Sequence, residues 1–556
     1  MTDTYPVIAS EAAPVDEQPQ DATISRRQVL NRFAWLSAAA TGGVALVGPA
    51  VTSAAAAAAP RPPIVDRVRP EALADPTELT IAEAVTLILQ GRLRPVALAA
   101  AYLDRIEEFD GVYQAYAARP SRADVLAAAA AVRIDSRNLL TGVGLAPKDN
   151  YYTKGLLTEA GSLVFEGFVP EYDATAVARM KQQGGVVLGK AQMGNLAGGR
   201  ATVPGTLIPT TRNAWTPDDV RYSPSGSSSG TATAVAARLA TSGIGTQTGG
   251  SITGPGQAQG LTALKPTFGR VSLHGVVPLT FVRDHPGPLA RDAMDAAIML
   301  QALAGPDPND PRSQGLPEPP DYIRAATPQG SKRPRMRFAS RIGVWPGYLT
   351  SGAADVRARR GAMARVLEDV GGRMVGELAL PDDWSVLSGV LNGSTGDPTA
   401  PFVEHLRRDV RLFADRLPRF LNGMLQSADS YLKVQQGRLL LLQRFLDQVF
   451  DKCDLVLGAP SDAFDGTGMP LLTFPIGLVT ETTTGLQVPT GGILGARPYG
   501  EERLLSAVSA YQAVTGFHLQ RPPDPRTGVA RVARAAVGPR AVTTIAPVGL
   551  EAIAQQ

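Results

Sequence analysis

Residues 223–272 read SPSGSSSGTATAVAARLATSGIGTQTGGSITGPGQAQGLTALKPTFGRVS. Two loops rich in Gly and Ser flank an Ala-rich segment, 231–240, that is typical of a helix. The second loop ends in Gly249-Gly250-Ser251, so a serine directly follows paired glycines. Glycines beside a nucleophile let several backbone N–H groups turn toward one point, and such N–H groups can hold an oxyanion without side chains. The loop therefore predicts a serine nucleophile, with Ser251 as the candidate.

Outside this segment, short apolar or β-branched runs alternate with helical ones. The runs typical of buried strands are residues 185–188, 342–345 and 455–457. Residues 173–183 carry apolar side chains at helical spacing, and residues 79–90 do the same behind a capping-box pattern of Thr80 and Glu83. Strands and helices in alternation predict an α/β fold in which helices cover a sheet.

The composition is that of a globular protein with no obvious charged partner. The 556 residues are 44% hydrophobic and carry a formal net charge of +3, which is too little to indicate a nucleic-acid partner. The single cysteine, Cys453, cannot close an intramolecular disulfide. The four histidines lie far apart without metal-ligand spacing, so we expect neither a metal nor another cofactor.

Residues 1–59 have the layout of a bacterial twin-arginine export signal. Arg26 and Arg27 precede a moderately apolar segment, 33–51, which is followed by a run of alanines. Glycines and a proline interrupt the apolar segment, so it is a poor permanent membrane helix. We expect the protein to be exported in folded form to a periplasmic or secreted location. The export machinery would be a transient partner, and no stable membrane insertion is expected.

The Gly/Ser-rich segment and its flanking elements closely resemble the amidase signature family. Further matches to that family's motifs, in the family's order, are residues 144–150, 158–162, 173–174, 184–193, 264–272, 287–291, 468–477 and 500–511. The resemblance spans roughly residues 79–518. It implies a single large α/β domain over residues 60–520, with a central mixed β-sheet covered by helices on both faces. Residues 521–556, rich in Arg, Ala and Pro, would then form a C-terminal tail.

The same resemblance implies a Ser-Ser-Lys triad. The family lysine matches Lys148, the nucleophile matches Ser251, and the bridging serine, whose preceding peptide is usually cis, matches Ser227, 24 residues before the nucleophile. A desolvated lysine can be neutral and act as the base while Ser227 relays the proton. The candidates for holding the oxyanion are the N–H groups of Thr248, Gly249, Gly250 and Ser251. The expected reaction is hydrolysis of the C–N bond of a small-molecule or peptide amide, and the oligomeric state is left open.

Two charges usual in the family are missing here together. Gln247 stands in place of an aspartate and Thr253 in place of an arginine, and we interpret the pair as a neutral substitute for an ion pair that supports the loop. Ser162, Gln192 and Ser228 are weaker candidates for substrate contacts, since loop or capping hydrogen bonds explain the first two equally well.

Three alternatives stay open at the level of sequence. Residues 226–230 also satisfy the G-x-S-x-G pattern of an α/β-hydrolase esterase, with Ser228 as nucleophile and His518 as the histidine. That pattern should follow a buried strand, and the polar segment 218–224 is unlike one. The second alternative is a non-catalytic binding protein on the same scaffold. The third is the glutaminase subunit of a tRNA-dependent amidotransferase, which the predicted export signal disfavours.

The substrate pocket is expected to involve residues 387–402 and 413–432. Their Leu, Val, Phe and Met content mildly favours an apolar acyl or aryl group, although packing in the core explains the same content equally well.

Overall fold

The computed structural model describes residues 60–391 and 396–526. The predicted export signal and residues 527–556 of the predicted tail lie outside these ranges. The strands are β1 (Tyr116–Ala118), β2 (Gly144–Pro147), β3 (Val186–Val187), β4 (Lys190–Ala191), β5 (Ser242–Gln247), β6 (Thr262–Lys265), β7 (His285–Ala290), β8 (Ser340–Val344), β9 (Gly372–Glu377), β10 (Leu455–Leu457), β11 (Leu471–Thr480) and β12 (Gln487–Ala496).

The α-helices of the described ranges are α1 (Pro70–Ala74), α2 (Ile81–Leu89), α3 (Pro95–Tyr113), α4 (Arg122–Ala130), α5 (Thr175–Gln182), α6 (Ser229–Ala236), α7 (Thr253–Gln259), α8 (Ala293–Leu303), α9 (Tyr322–Ala325), α10 (Ala354–Asp369), α11 (Trp384–Leu391), α12 (Val403–Arg408), α13 (Leu417–Met424), α14 (Ala428–Arg444), α15 (Ser461–Thr467) and α16 (Glu501–Thr515). The predicted capping box opens α2, because the Glu83 N–H donates to Thr80 Oγ1 at 3.1 Å and the Thr80 N–H donates to Glu83 Oε2 at 3.0 Å. None of these helices combines the length and apolarity that a membrane span needs.

One large sheet organises the described part of the chain. Its strand order is β3-β2-β5-β7-β6-β11-β12-β10-β8-β9. Strands β3, β2 and β5 are parallel, as are β10, β8 and β9, whereas the pairs between β5 and β10 are antiparallel. The three predicted strand segments fall on β3, β8 and β10. The predicted α/β fold with a central mixed sheet is confirmed.

Apolar cores cover both faces of this sheet. Successive side chains of a strand point to opposite faces. On β2, Leu145 belongs to the core that contains α8 and α16, whereas Ala146 belongs to a second core that contains α3 and α6. On β10, Leu455 lies in the first core and Val456 in a third core beside α14 and α15. Helices therefore bury both faces, which is why β2 and β10 contain no polar side chains.

Candidate active site

Lys148 follows directly after β2, at the edge where that strand runs parallel to β5. Its backbone N–H donates to the Ile244 carbonyl at 2.9 Å, which continues the ladder and aims the side chain along β5. The buried Nζ lies 2.7 Å from Ser227 Oγ and 2.8 Å from Thr246 Oγ1, and it donates to the Thr246 carbonyl at 3.2 Å. The parallel pairing of two strands thus brings Lys148 to Thr246 on β5, and the loop that carries Ser227 packs against the same amine.

The surroundings of Lys148 favour the neutral amine. Burial lowers the pKa of Lys148 to about 7, and the charge of Asp284 opposes this shift only in part. A lysine near neutrality can take a proton from Ser227 Oγ, which lies within hydrogen-bond distance. The geometry therefore suits a lysine base and a hydroxyl relay.

Ser227 lies in the loop that precedes α6, and the peptide between Gly226 and Ser227 is cis, as the family resemblance implies. The Ser227 carbonyl accepts the Gly194 N–H at 3.1 Å, and the side chain is fully buried. Position 226 has room only for glycine, because a Cβ there would lie 2.0 Å from the Gly199 carbonyl oxygen. Close packing against residues 194–199 thus holds the relay serine.

Ser251 lies in the loop between β5 and α7 and lines a cavity of about 520 Å³. Its carbonyl accepts the Ser228 N–H at 3.3 Å, so the loop of the candidate nucleophile packs against the loop of the candidate relay. Lys148 and Ser227 do not line this cavity and are fully buried behind it. The arrangement exposes only the nucleophile to a substrate.

Gln247 connects the nucleophile loop to a buried carboxylate that the sequence did not reveal. Its Oε1 accepts the N–H groups of Ile252 and Thr253 at 2.8 and 2.9 Å, and its Nε2 donates to Asp465 Oδ1 at 2.8 Å. Asp465 in turn lies 3.5 Å from Lys265 Nζ, with both side chains buried. Gln247 does contact Thr253, as the neutral-substitute interpretation requires, but the loop's charge pair is Asp465 with Lys265.

The predicted oxyanion donors are not all free. The Gly250 N–H donates to Asp465 Oδ2 at 2.9 Å, so this donor serves to hold the loop. This corrects the expectation for Gly250. Thr248 and Gly249 line the cavity together with Ser251, and their N–H groups and that of Ser251 remain the candidates. A backbone donor already paired with a carboxylate has little left for an oxyanion.

The weaker sequence candidates do not line the cavity. Ser162 caps a short 3₁₀ turn, its Oγ accepting the Val164 N–H at 3.3 Å. Gln192 uses its backbone to pair with Ala115 and Gly230. Ser228 is fully buried, 3.5 Å from the Thr246 carbonyl. None of Ser162, Gln192 and Ser228 lines the cavity around Ser251, so the structure gives none of them a substrate contact.

The α/β-hydrolase alternative lacks its expected context. The residues before Ser228 form turns and bends, without the strand that a nucleophile elbow requires. His518 lies beyond α16 and interacts electrostatically with Asp292 and Arg69. No hydrogen bond of the described ranges joins His518 to Ser228. Those ranges also contain no cluster of three or more His, Cys, Asp or Glu side chains suited to a metal ion.

The segments expected to form the pocket do reach it, but with charged side chains. Residues 397–398 and 416–419 contribute Asp397, Pro398, Arg416 and Arg419 to the cavity lining. The aromatic residues of these segments, Phe402, Phe413 and Phe420, are buried against one another in the core. These segments therefore contribute charged side chains to the lining, and their aromatic residues belong to core packing, the second of the two interpretations that the sequence left open.

Known proteins resemble this chain along most of its length. The Amidase family profile matches residues 97–465. A glutamyl-tRNA(Gln) amidotransferase subunit from Geobacter metallireducens is 34% identical over 492 residues, which are 80% of this chain and 99% of that protein. The solved structure of the native peptide amidase from Stenotrophomonas maltophilia matches with a TM-score of 0.67 at 28% identity, over 81% of this chain and 99% of that one. A bacterial aryl acylamidase shares the fold, with a TM-score of 0.66 at 20% identity over 79% of this chain and 97% of that one.

Proposed function

The chain belongs to the Amidase family, whose members hydrolyse amide C–N bonds, and from this premise we propose that it is an amidase that works alone through an acyl-enzyme on Ser251. The observation that carries the proposal is the 2.7 Å contact between Lys148 Nζ and Ser227 Oγ, buried directly behind a cavity that Ser251 lines. A buried lysine of lowered pKa beside a hydroxyl is what a proton relay to a serine nucleophile requires.

The proposed reaction has two halves that use the same relay. Ser251 Oγ attacks the amide carbonyl carbon while its proton passes to Ser227 and the Ser227 proton passes to neutral Lys148. The N–H groups of Thr248, Gly249 and Ser251 bind the oxyanion, each donor worth about 3–4 kcal/mol in other hydrolases. The proton returns through Ser227 to the leaving nitrogen as the C–N bond breaks. Water then attacks the acyl-enzyme and gives up a proton to Lys148 through Ser227. That proton returns through Ser227 to Ser251 Oγ as the ester C–O bond breaks and the carboxylic acid leaves.

A variant series tests the triad. Ser251→Ala should reduce turnover to background and abolish labelling by a fluorophosphonate. Lys148→Ala should reduce kcat about 10²–10⁴-fold, and adding Ser227→Ala should cost little more because the two act as one unit. Ser228→Ala is the matched control, since it removes a neighbouring buried hydroxyl that does not contact Lys148.

The outcome separates the alternatives. An inactive Ser228→Ala protein beside an active Ser251→Ala protein would establish the esterase alternative. A wild-type protein that a fluorophosphonate does not label and that releases no amine from any amide would support the non-catalytic binding protein.

A second candidate function is the glutaminase subunit of an amidotransferase. It is favoured by the 34% identity to the glutamyl-tRNA(Gln) amidotransferase subunit from G. metallireducens. The two functions differ in what the purified chain does alone. Release of amine and ammonia from a panel of simple amides by the isolated protein supports the amidase. Glutamine hydrolysis that appears only when partner subunits and charged tRNA are added supports the glutaminase.

We also propose export by the twin-arginine route, on the basis of Arg26 and Arg27 and the apolar segment behind them. Arg26→Lys combined with Arg27→Lys should retain active protein in the cytoplasm, because a receptor reads the arginine pair and the fold does not need it. Fractionation and immunoblotting measure this, with Arg32→Lys as a control in the same segment. Undiminished export of the double variant would refute the route.

A further inference from the structure

The cavity at Ser251 is lined by an unusual concentration of positive charge. Four arginines line it, together with one carboxylate, and they come from four separate parts of the chain: Arg200, Arg283, Arg416, Arg419 and the carboxylate of Asp397. Asp397, whose pKa is raised to about 6 by burial and the charge of Asp284, can offset at most one of these four positive charges. The cavity is cationic at neutral pH.

These arginines have no carboxylate partner within hydrogen-bonding distance in the described part of the chain. Within residues 60–391 and 396–526, none of the four takes part in a salt bridge. The Nε atoms of Arg200, Arg283 and Arg416 are buried and have no hydrogen-bond partner in those ranges. A buried guanidinium N–H without a partner costs free energy, which a bound acceptor would recover.

The guanidinium groups are also close enough to repel one another. The pKa of Arg419 lies below its ordinary value because of burial and the charges of Arg416 and Arg283. Arg416 occupies space left by Gly198, where a Cβ would lie 1.6 Å from the Arg416 Nη2 atom. Four guanidinium groups against the single carboxylate of Asp397 leave the lining with a net positive charge, which indicates an anion supplied from outside.

Arg283 links this charge to the nucleophile. Its Nη2 donates to the carbonyl of Thr248, which lies in the loop that carries Ser251, at 3.2 Å. An anion held at Arg283 and Arg416 therefore lies beside the reacting centre. Because an arginine guanidinium binds a carboxylate through two parallel hydrogen bonds, a planar anionic group suits the cluster better than a point charge does.

We propose that the substrate is an amide that carries a carboxylate, and that Arg283 and Arg416, assisted by Arg419 at the rim, bind that carboxylate while Ser251 attacks the amide. The proposal rests on the proposed amidase function and deepens it by assigning the substrate class. Arg200 also lines the cavity and adds to its positive charge.

Matched substrates test this directly. Succinyl-4-nitroanilide and butyryl-4-nitroanilide have acyl chains of equal length and differ by a terminal carboxylate. 4-Acetamidobenzoate and acetanilide make the same comparison on the amine side. For at least one pair, wild-type kcat/KM should be about tenfold or more higher for the charged member, and the ratio should fall as salt is raised.

Variants then assign the preference to the cluster. Arg416→Gln and the rim variant Arg419→Gln should each reduce the charged-to-neutral ratio about tenfold, and Arg416→Lys should restore only part of it. Arg411→Gln is the matched control, because Arg411 lies on the same segment, is exposed and pairs with Asp409. Its ratio should equal that of wild type. Equal ratios in wild type and in every variant would overturn the proposal.

A binding measurement keeps the inference independent of turnover. In calorimetry with the Ser251→Ala protein, glutarate should bind and neutral glutaramide should not. Inorganic phosphate tests whether the cavity binds any anion or selects a carboxylate. Equal binding of phosphate and glutarate would contradict selection of a carboxylate, and no binding of glutarate would contradict the site itself. If a fluorophosphonate labels Ser251 and wild type cleaves both members of each pair equally, the inference fails while the amidase function stands. If neither labelling nor cleavage occurs, the proposed amidase function is wrong. The binding of glutarate then tests whether the arginine cluster binds a carboxylate.

Discussion

Replacement of Gln247 by glutamate should destabilise the protein in a strongly pH-dependent way. The Gln247 amide is used at both ends: its oxygen accepts two N–H groups of the nucleophile loop, and its nitrogen donates to Asp465 at 2.8 Å. In Gln247→Glu, one carboxylate oxygen can still accept the loop N–H groups. The other carboxylate oxygen takes the place of the amide nitrogen. It is an acceptor where a donor is needed, and it faces the buried carboxylate of Asp465.

The size of the effect follows from this contact. Two ionised carboxylates about 4 Å apart repel by about 4 kcal/mol at an effective dielectric constant of about 20. Capturing a proton instead costs about 1.4 kcal/mol for each pH unit above the ordinary glutamate pKa of about 4.3, hence about 1 kcal/mol at pH 5. Lys265, 3.5 Å from Asp465, is present in both proteins, so the difference between them isolates the new charge.

The sign follows from proton binding. The carboxyl pair in the folded variant has a raised pKa, so the folded state binds more protons than the unfolded chain above pH 4.3, and the free energy of unfolding falls as the pH rises. Relative to wild type, we expect a loss of about 1 kcal/mol at pH 5 and about 4 kcal/mol at pH 8.

Urea unfolding of both proteins between pH 5 and pH 8 measures this difference. Gln487→Glu is the matched control, because Gln487 is exposed on β12 and the added charge there faces solvent. The control should differ little from wild type at any pH. A Gln247→Glu protein as stable as wild type at pH 8 would show that Gln247 does not contact Asp465 and would refute the account of how the nucleophile loop is held.

Three further predictions concern the catalytic centre. The value of kcat/KM should rise as the pH increases through about 7, because only neutral Lys148, whose pKa is lowered to about 7, can accept a proton. A rate profile from pH 5 to 9 measures this rise. Asp397→Asn is the control and should show the same rise. EDTA should not affect the rate, and inhibition reversed by zinc would contradict the mechanism. Gly226→Ala should abolish activity and lower the melting temperature, because its Cβ would lie 2.0 Å from the Gly199 oxygen, whereas Gly389→Ala, with nothing within 4 Å, should not.

Local features of the chain were readable in advance because their causes are local. The capping box of Thr80 and Glu83 depends on residues three positions apart, and the apolar runs on β3, β8 and β10 reflect strands buried on both faces. The cis peptide before Ser227 was implied by the motif around it and is present. The candidate triad was implied by the resemblance to the amidase signature family, and the structure adds that two of its members, Lys148 and Ser227, touch.

What the sequence by itself determined is therefore the α/β class, which follows from residue patterns along the chain. The candidate catalytic side chains came from the same sequence through its resemblance to a known family. Only the tertiary structure decided what surrounds them. Asp465 lies 218 residues from Gln247, yet it holds the nucleophile loop and occupies the Gly250 N–H. The arginines of the cavity come from distant segments, and no local pattern marks which charged side chains the fold turns inward. The apolar residues near Arg416 suggested an apolar pocket because composition cannot distinguish a side chain that packs in the core from one that faces a cavity; that choice is made when the segments fold against the sheet.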